Sequence, residues 1–446
     1  MLDSIHIKNA FCILPDQRTR KLCEAEVDLF ISNGRIQTIG KTVPPVEPEQ
    51  IIDARGLHVL PGVVDTQVHF REPGMTQKED LETGSRAALL GGVTGFFEMP
   101  NTKPPTTTRE LFNQKLAAAQ GRCFTDYAFF IGGAHENINE LSELEKMSSC
   151  SGVKVFVGSS TGSLLVEDDT SIEKILRCGK RRVIFHSEDE IILRQRQNIV
   201  NTSKDVRQHH IWRNVESAVS STVRILNLAR KTGRPVHILH VTTAEEMDLL
   251  AQAKDIATCE VLPQHLTLSA PECYERLGTL AQQNPPIREK SHQDRLWKAI
   301  QDGTVDIIGS DHAPHTLEEK RREYPNTPSG VPGVQTLLPI MLNHVHHGRL
   351  SLFRLVELLC EAPRKVFGLN YSGRIEVGAK ANLTIVDLKT PRTIENKWIE
   401  SRCGWTPYDG MKVIGWPIHV ILGGKWVLRD SEIKHPPLGQ PMEFLT

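Results

Sequence analysis

From about residue 57 onward, apolar and polar positions repeat in a regular rhythm. A short run rich in β-branched and aromatic residues is followed by a polar turn and then by a segment with helical periodicity. The apolar runs predict eight strands, at residues 57–65, 93–100, 124–132, 152–158, 182–187, 235–242, 258–265 and 305–312. The segments with helical periodicity include residues 78–90, 108–120, 215–230 and 291–301.

Eight strands that alternate with helices predict an α/β fold, a (β/α)8 barrel of the TIM type over residues 57–372. An open, doubly wound sheet uses similar units and is the alternative. No glycine-rich phosphate turn follows the first strand, which favours the barrel.

The two ends of the chain have a different pattern. Residues 1–56 and 373–446 carry short alternating segments, with a turn at Asn33 and Gly34. Both ends are expected to form strands of one small β-sandwich. The polar segment 194–213, between two barrel units, is expected to be a loop or an irregular helix.

Composition narrows the function classes. The 446 residues are 39% hydrophobic and 24% charged, and 53 Lys+Arg against 54 Asp+Glu give a formal net charge of -1. A nucleic-acid or membrane-surface protein would need a basic excess, so neither class is expected. No apolar run is long enough for a transmembrane helix, and the first residues do not form a secretion signal.

Cysteine usage indicates the compartment. Nine cysteines are scattered along the chain, and no CxxC pair occurs. A disulfide framework or a thiolate zinc site is therefore not expected, and a reducing, cytoplasmic location is predicted.

Polar side chains occur where the predicted barrel strands end. They are His69, Asn101, His186, His240 and Asp311, and Lys154 lies within the fourth predicted strand. A single buried histidine is most simply a hydrogen-bonded core residue. Because the carboxyl ends of barrel strands converge on one mouth, so many possible ligands together predict a metal site there.

Lys154 has two interpretations. Its neighbours Val153, Val155 and Phe156 are apolar, and an ammonium group is costly to bury among them. The lysine could extend its amine toward the rim. Alternatively, CO2 could carbamylate the amine, and the new carboxylate could then bridge two cations.

The chain resembles the dihydroorotases of the amidohydrolase superfamily, which are related to allantoinases and dihydropyrimidinases. The resemblance covers nearly the whole chain. It rests on VDTQVHFREPG (64–74), EMPNTKP (98–104), GVKVFVG (152–158), FHSE (185–188), ILHVTT (238–243), NPPIR (284–288), IGSDHAPHT (308–316) and GVPGVQTLLP (330–339). The combination of HFREPG, MPNT and DHAPH is specific.

The resemblance implies a role for each matching residue. It implies a metal centre of one or two zinc ions held by His69, Lys154, His186, His240 and Asp311, with Lys154 carbamylated and bridging. It implies that Asp311 also shuttles protons. The residues implied to bind the substrate carboxylate are Arg71, Asn101 and His315. The resemblance also implies that Asn284 binds near the pyrimidine ring.

One position departs from the family pattern. The first histidine of the family's HxH motif is Gln67 here. An amide is a weaker zinc ligand than an imidazole. The set of Lys154, His186 and His240 is intact, whereas the set of His69, Asp311 and the lysine bridge lacks one imidazole.

The resemblance implies reversible hydrolysis of the cyclic amide of dihydroorotate to N-carbamoyl-aspartate, a small-molecule reaction of pyrimidine biosynthesis. An allantoinase or hydantoinase would use the same metal centre but would have less need of Arg71 beside a carboxylate. A non-catalytic homologue that has lost its metal is the alternative that Gln67 favours. A homodimer is the commonest default assembly.

Overall fold

The computed structural model of the chain describes residues 4–41, 47–159 and 164–445. Five strands precede the barrel: β1 (Ser4–Pro15), β2 (Leu22–Ser32), β3 (Arg35–Ile39), β4 (Gln50–Asp53) and β5 (His58–Pro61). The barrel strands are β6 (Val63–Val68), β7 (Val93–Glu98), β8 (Asp126–Gly132), β9 (Cys150–Phe156), β10 (Val183–His186), β11 (Val236–Ile238), β12 (Ala257–Val261) and β13 (Ile307–Ile308). Four strands follow it: β14 (Leu383–Thr393), β15 (Lys412–Leu422), β16 (Lys425–Arg429) and β17 (Glu432–Ile433).

The barrel is closed by its first and last strands. Strands β6 to β13 pair in chain order, and every pair is parallel. A parallel bridge between Val68 and His312 joins the end of β6 to the residues after β13, and the His69 amide donates to the His312 carbonyl at 2.7 Å. The predicted (β/α)8 barrel is confirmed, and the open sheet is wrong.

Helices surround the barrel and connect its strands. They are α1 (Leu81–Leu90), α2 (Arg109–Ala119), α3 (Leu141–Leu144), α4 (Asp169–Arg177), α5 (Glu190–Gln195), α6 (Asn198–Thr202), α7 (His209–Trp212), α8 (Val215–Thr232), α9 (Ala244–Ala251), α10 (Pro263–Thr267), α11 (Glu272–Leu277), α12 (Lys290–Asp302), α13 (Leu317–Lys320), α14 (Leu337–His346), α15 (Leu352–Val356) and α16 (Ala362–Phe367). Polar side chains fix where many of them begin: Asp80, Thr108 and Asn214 each accept a backbone N–H of the first turn. Segment 194–213 forms short helical turns, as the irregular-helix interpretation predicted.

Both ends of the chain build one connected mixed sheet of nine strands, in the order β17-β16-β15-β14-β5-β1-β2-β3 with β4 beside β1. Its apolar core includes Ile7, Ile31 and Leu383 from both ends. One strand prediction is wrong: residues 57–65 are not a single barrel strand. The chain leaves the terminal sheet at Pro61 and enters the barrel at Val63, because β5 pairs with β1 and β14.

The connection between β14 and β15 packs against the barrel residues that follow β13. The indole N–H of Trp405 donates to the His315 carbonyl at 2.8 Å, and the Ser401 hydroxyl donates to the buried Glu79 carboxylate. The terminal sheet therefore contributes residues that support the loop after β13. None of the helices in the described ranges is long and apolar enough to cross a bilayer.

Candidate active site

Nearly all the predicted site residues meet at one end of the barrel. A small cavity there has a volume of about 20 Å³, which is room for about one water molecule. It is lined by Gln67, His69, Arg71, Asn101, Lys154, Phe156, His186, His240, Asn284, Asp311, Ala313, Ser329 and Gly330. His315 lies directly behind this lining, with Nε2 at 3.3 Å from Nη2 of Arg71.

On one side of the cavity, His69 faces Asp311. Nδ1 of His69 lies 2.7 Å from Oδ1 of Asn101, so the ring donates there and its Nε2 carries a lone pair. That Nε2 lies 3.1 Å from Oδ1 of Asp311. Burial lowers the pKa of His69 despite the nearby aspartate, so the ring is neutral. Two acceptor atoms thus face each other, an arrangement that a cation between them stabilises.

Gln67 lies on the same side of the cavity, at the position where the family resemblance implies a further histidine. Its Nε2 donates to the same Asp311 oxygen at 3.0 Å. Its Oε1 is buried and has no hydrogen-bond partner among the described residues. The amide thus holds Asp311 in position, but it offers a cation only a neutral oxygen.

On the other side of the cavity, two imidazoles converge. Nδ1 of His186 lies 3.1 Å from Nε2 of His240. Nε2 of His186 donates to the Glu188 carboxylate at 2.8 Å, which leaves the Nδ1 lone pair directed at His240. A carboxylate that holds the outer nitrogen of a histidine is the usual support of a metal ligand.

Glu188 is ionised although it is completely buried. Burial by itself would raise the pKa of this carboxyl group, but the neighbouring Arg213 guanidinium and His186 hold the pKa well below its usual range. Arg213 is itself buried and also donates to the Ser159 carbonyl at 2.8 Å. The ionised Glu188, held by Arg213, therefore gives His186 a negatively charged acceptor for its Nε2 proton.

Lys154 lies in β9 with its amine inside the barrel. Nζ is buried, has no hydrogen-bond partner among the described residues and lies 4.5 Å from the centre of the Phe156 ring. Burial lowers the pKa of the amine to about 7. An unpartnered amine among two histidines and an aspartate is the arrangement that a carbamate would satisfy.

The donor set fits a cation incompletely as it stands. No three histidine, cysteine, aspartate or glutamate side chains converge as a cation site within residues 4–41, 47–159 and 164–445. Each side of the cavity supplies two such side chains, His69 with Asp311 and His186 with His240. A carboxylate on Lys154 would supply the third ligand.

The remaining cavity residues are suited to an anionic substrate. Arg71 is buried, and its Nε donates to the Pro314 carbonyl at 3.3 Å. Burial lowers the pKa of this guanidinium only to about 10, so it stays charged at neutral pH. Oδ1 of Asn284 accepts from Nε2 of His209 at 2.9 Å, which directs the amide of Asn284.

The backbone at the site is strained. Arg71, His240 and Asp311 have φ values of 64°, 39° and 44°, in the left-handed region that non-glycine residues rarely adopt. Such conformations persist only where the surrounding structure fixes them, and they concentrate at functional sites.

Sequence reasoning missed several supporting residues. Glu188 follows His186 by two positions, so its place in the motif could have indicated the support. Glu319 contacts His315 from four positions further along the chain, whereas Lys78 reaches it from a distant segment and Trp405 from the connection between β14 and β15. No local pattern in the sequence signals the contacts of Lys78 and Trp405.

A larger cleft of about 680 Å³ lies elsewhere, between the terminal sheet and the barrel. Its lining contains Arg35, Arg364 and Lys380 but no histidine among the residues that the structure describes. The chemistry of the small cavity is therefore the better guide to function.

The family profile described as the amidohydrolase family matches residues 58–177 and 195–427. A dihydroorotase of Methanosarcina acetivorans is 34% identical over 98% of this chain and 94% of its own length. An L-hydantoinase of Paenarthrobacter aurescens is 31% identical over 92% of both chains. The solved L-hydantoinase (dihydropyrimidinase) from Arthrobacter aurescens superposes with a TM-score of 0.93 at 30% identity, covering 99% of this chain and 100% of that one. The chain belongs to the amidohydrolase family.

Proposed function

We propose that this protein is a dihydroorotase, which reversibly hydrolyses the cyclic amide of dihydroorotate to N-carbamoyl-aspartate. The observation that carries the proposal is the buried Arg71 guanidinium in the same cavity as the two ligand pairs. A guanidinium matches a carboxylate in a bidentate way, and dihydroorotate is a cyclic amide with a free carboxylate. The similarity to several dihydroorotases over nearly the full length supports the same assignment.

Zinc would be held by two pairs of side chains and by Lys154. The pairs are His69 with Asp311 and His186 with His240. His186, His240 and a carbamylated Lys154 would form the more complete set. His69, Asp311 and the same carbamate would form the other set. When bound, zinc supplies a Lewis acid that polarises the amide carbonyl and lowers the pKa of a water toward about 7.

Asp311 would move the proton. One of its oxygens, Oδ1, faces His69 and accepts from Gln67, which leaves Oδ2 for proton transfer. In the hydrolytic direction, the water oxygen forms a bond to the carbonyl carbon while Asp311 accepts the water proton. The ring C–N bond then breaks, and Asp311 gives that proton to the departing nitrogen. The reverse sequence closes the ring, which is the direction of pyrimidine synthesis.

The substrate would be oriented by groups around the carboxylate and the ring. Arg71, Asn101 and His315 would bind the carboxylate, and Asn284 would contact the pyrimidine ring. Asn101 would both bind the carboxylate and orient the His69 ring, because its Oδ1 accepts from that ring. Cytoplasmic location and assembly as a homodimer remain predictions, and sedimentation of the purified protein measures the latter.

The first prediction concerns metal content. We expect protein purified without added metal to hold closer to one zinc than two per chain, because Gln67 leaves its side of the cavity with one imidazole. Gln67→His should raise the content toward two. Elemental analysis of both proteins measures the difference.

A matched variant controls for the lysine bridge. Lys154→Met should reduce zinc binding on both sides, whereas Gln67→Ala should leave the value near one. Two tightly held zinc ions in the unmodified protein would contradict the interpretation of Gln67. No zinc after reconstitution with zinc and bicarbonate would favour the non-catalytic alternative.

The experiment that tests the proposed function is turnover of dihydroorotate by protein reconstituted with zinc and bicarbonate. Hydantoin and allantoin, which lack the carboxylate, are the competing substrates.

A further inference from the structure

Lys78 contacts the proposed carboxylate-binding site from behind. It precedes α1, it is buried, and its Nζ lies 3.0 Å from Nδ1 of His315. The same Nζ lies 3.0 Å from Oε1 of Glu319. The carboxylate of Glu319 is held in turn, because its Oε2 accepts the backbone N–H of Thr316 at 3.2 Å, at the start of α13.

The contact with Lys78 determines which nitrogen of His315 carries the proton. An ammonium group has three donors and no acceptor, so Nδ1 of His315 must accept. Burial lowers the pKa of His315 to about 3, so the ring is neutral and carries one proton. That proton is therefore on Nε2, which donates to the Ser329 carbonyl at 3.1 Å.

This tautomer places a donor of His315, directly behind the cavity lining, next to a donor of Arg71 in the lining. Nη2 of Arg71 lies 3.3 Å from Nε2 of His315, and both atoms carry hydrogen. Two adjacent donors cannot bond to each other, but the oxygen of a carboxylate can accept from both. The carboxylate would then share the Nε2 proton of His315 with the Ser329 carbonyl, as a second acceptor. The opposite tautomer would present a lone pair to that carboxylate and repel it.

We propose that Lys78 is a positioning residue that holds His315 in the Nε2-protonated tautomer, so that His315 donates to the substrate carboxylate together with Arg71. The role of the carboxylate rests on the proposed function. Without Lys78, the remaining partner of Nδ1 of His315 among the described residues is Oε2 of Glu319, at 3.7 Å. That carboxylate would attract the ring proton to Nδ1 and reverse the tautomer.

The test is Lys78→Met, which keeps the aliphatic stem and removes the donor. We expect KM for dihydroorotate to rise at least tenfold with kcat within about threefold of the unmodified value. Turnover of dihydrouracil, which lacks the carboxylate, should be unchanged. Adding Glu319→Gln should recover part of the lost affinity, because an amide N–H can replace the ammonium as donor to Nδ1.

Lys254→Met is the matched control. Like Lys78, Lys254 donates to a carboxylate, that of Asp306, and it also donates to the Thr304 carbonyl, but it lies next to β13 rather than behind the cavity. Its replacement should leave KM for both substrates unchanged. Thermal unfolding of each variant reports the loss of stability separately.

A nitrogen-15 NMR spectrum of the histidine rings reads the tautomer directly, with His315→Asn to assign the signal. We expect Nε2–H in the unmodified protein and Nδ1–H in Lys78→Met. The same tautomer in both proteins, or equal losses for dihydroorotate and dihydrouracil, would overturn the proposal. If the unmodified protein does not turn over dihydroorotate, the proposed function fails, while the spectra still decide what Lys78 does.

Discussion

Replacing Arg71 with alanine should weaken transition-state binding of dihydroorotate by about 2–5 kcal/mol, the range for removing one partner of a buried charge pair. That free energy corresponds to a loss of about 30- to 5,000-fold in kcat/KM. The reason is that the buried guanidinium is the positive charge at the carboxylate end of the cavity. Steady-state kinetics with dihydroorotate and with dihydrouracil measure the effect and its selectivity.

Dihydrouracil separates binding of the carboxylate from support of the fold. Its turnover should fall much less in Arg71→Ala, because it lacks the carboxylate. Arg71→Lys keeps the charge but loses the bidentate geometry, so it should fall between the two proteins. Equal losses for both substrates would show that Arg71 is structural, through its bond to the Pro314 carbonyl.

The second large effect is expected at Asp311. Asp311→Asn should lower kcat by about 100- to 10,000-fold, the usual contribution of general acid–base catalysis. An amide has nearly the shape of the carboxylate, and its oxygen can still accept from Gln67, so the fold should be retained. Rates for each direction of the reaction and thermal unfolding measure the two consequences.

A surface aspartate serves as the control for this substitution. Asp248 pairs with Arg295 at the protein surface, and Asp248→Asn should leave kcat unchanged. The zinc held by His186 and His240 should persist in Asp311→Asn, because neither histidine depends on the aspartate. Near-normal turnover of Asp311→Asn with zinc still bound would contradict the assignment of the proton shuttle.

The barrel was predictable because its strands repeat a local pattern. Each buried strand is a short apolar run, and the polar residues at the strand ends had to meet at one mouth. The sequence pattern therefore predicted that His69, His186, His240 and Asp311 lie close together. The error at residues 57–65 arose because Gly62 is the one residue between two apolar strands of different sheets, and periodicity cannot distinguish these strands.

Most supports of the site were not predictable, since they depend on contacts between distant segments. The exceptions are Glu188 and Glu319, which lie close in sequence to His186 and His315. Trp405 reaches the carbonyl of His315 across 90 positions, and Lys78 reaches its ring across 237 positions. Hydrophobic periodicity indicates which residues are buried, but it does not indicate which polar atoms meet. The ring tautomers of His69 and His315 are consequences of such distant contacts.

The measurement that tests the central claim most directly is kcat/KM for dihydroorotate, hydantoin and allantoin with one preparation reconstituted with zinc and bicarbonate. A metal-dependent dihydroorotase should open dihydroorotate far faster than either uncharged ring, and removal of zinc by a chelator should abolish that turnover. Faster turnover of hydantoin or allantoin would contradict the substrate assignment. Absence of turnover for all three substrates at saturating zinc would contradict the claim that this protein is a metal-dependent enzyme.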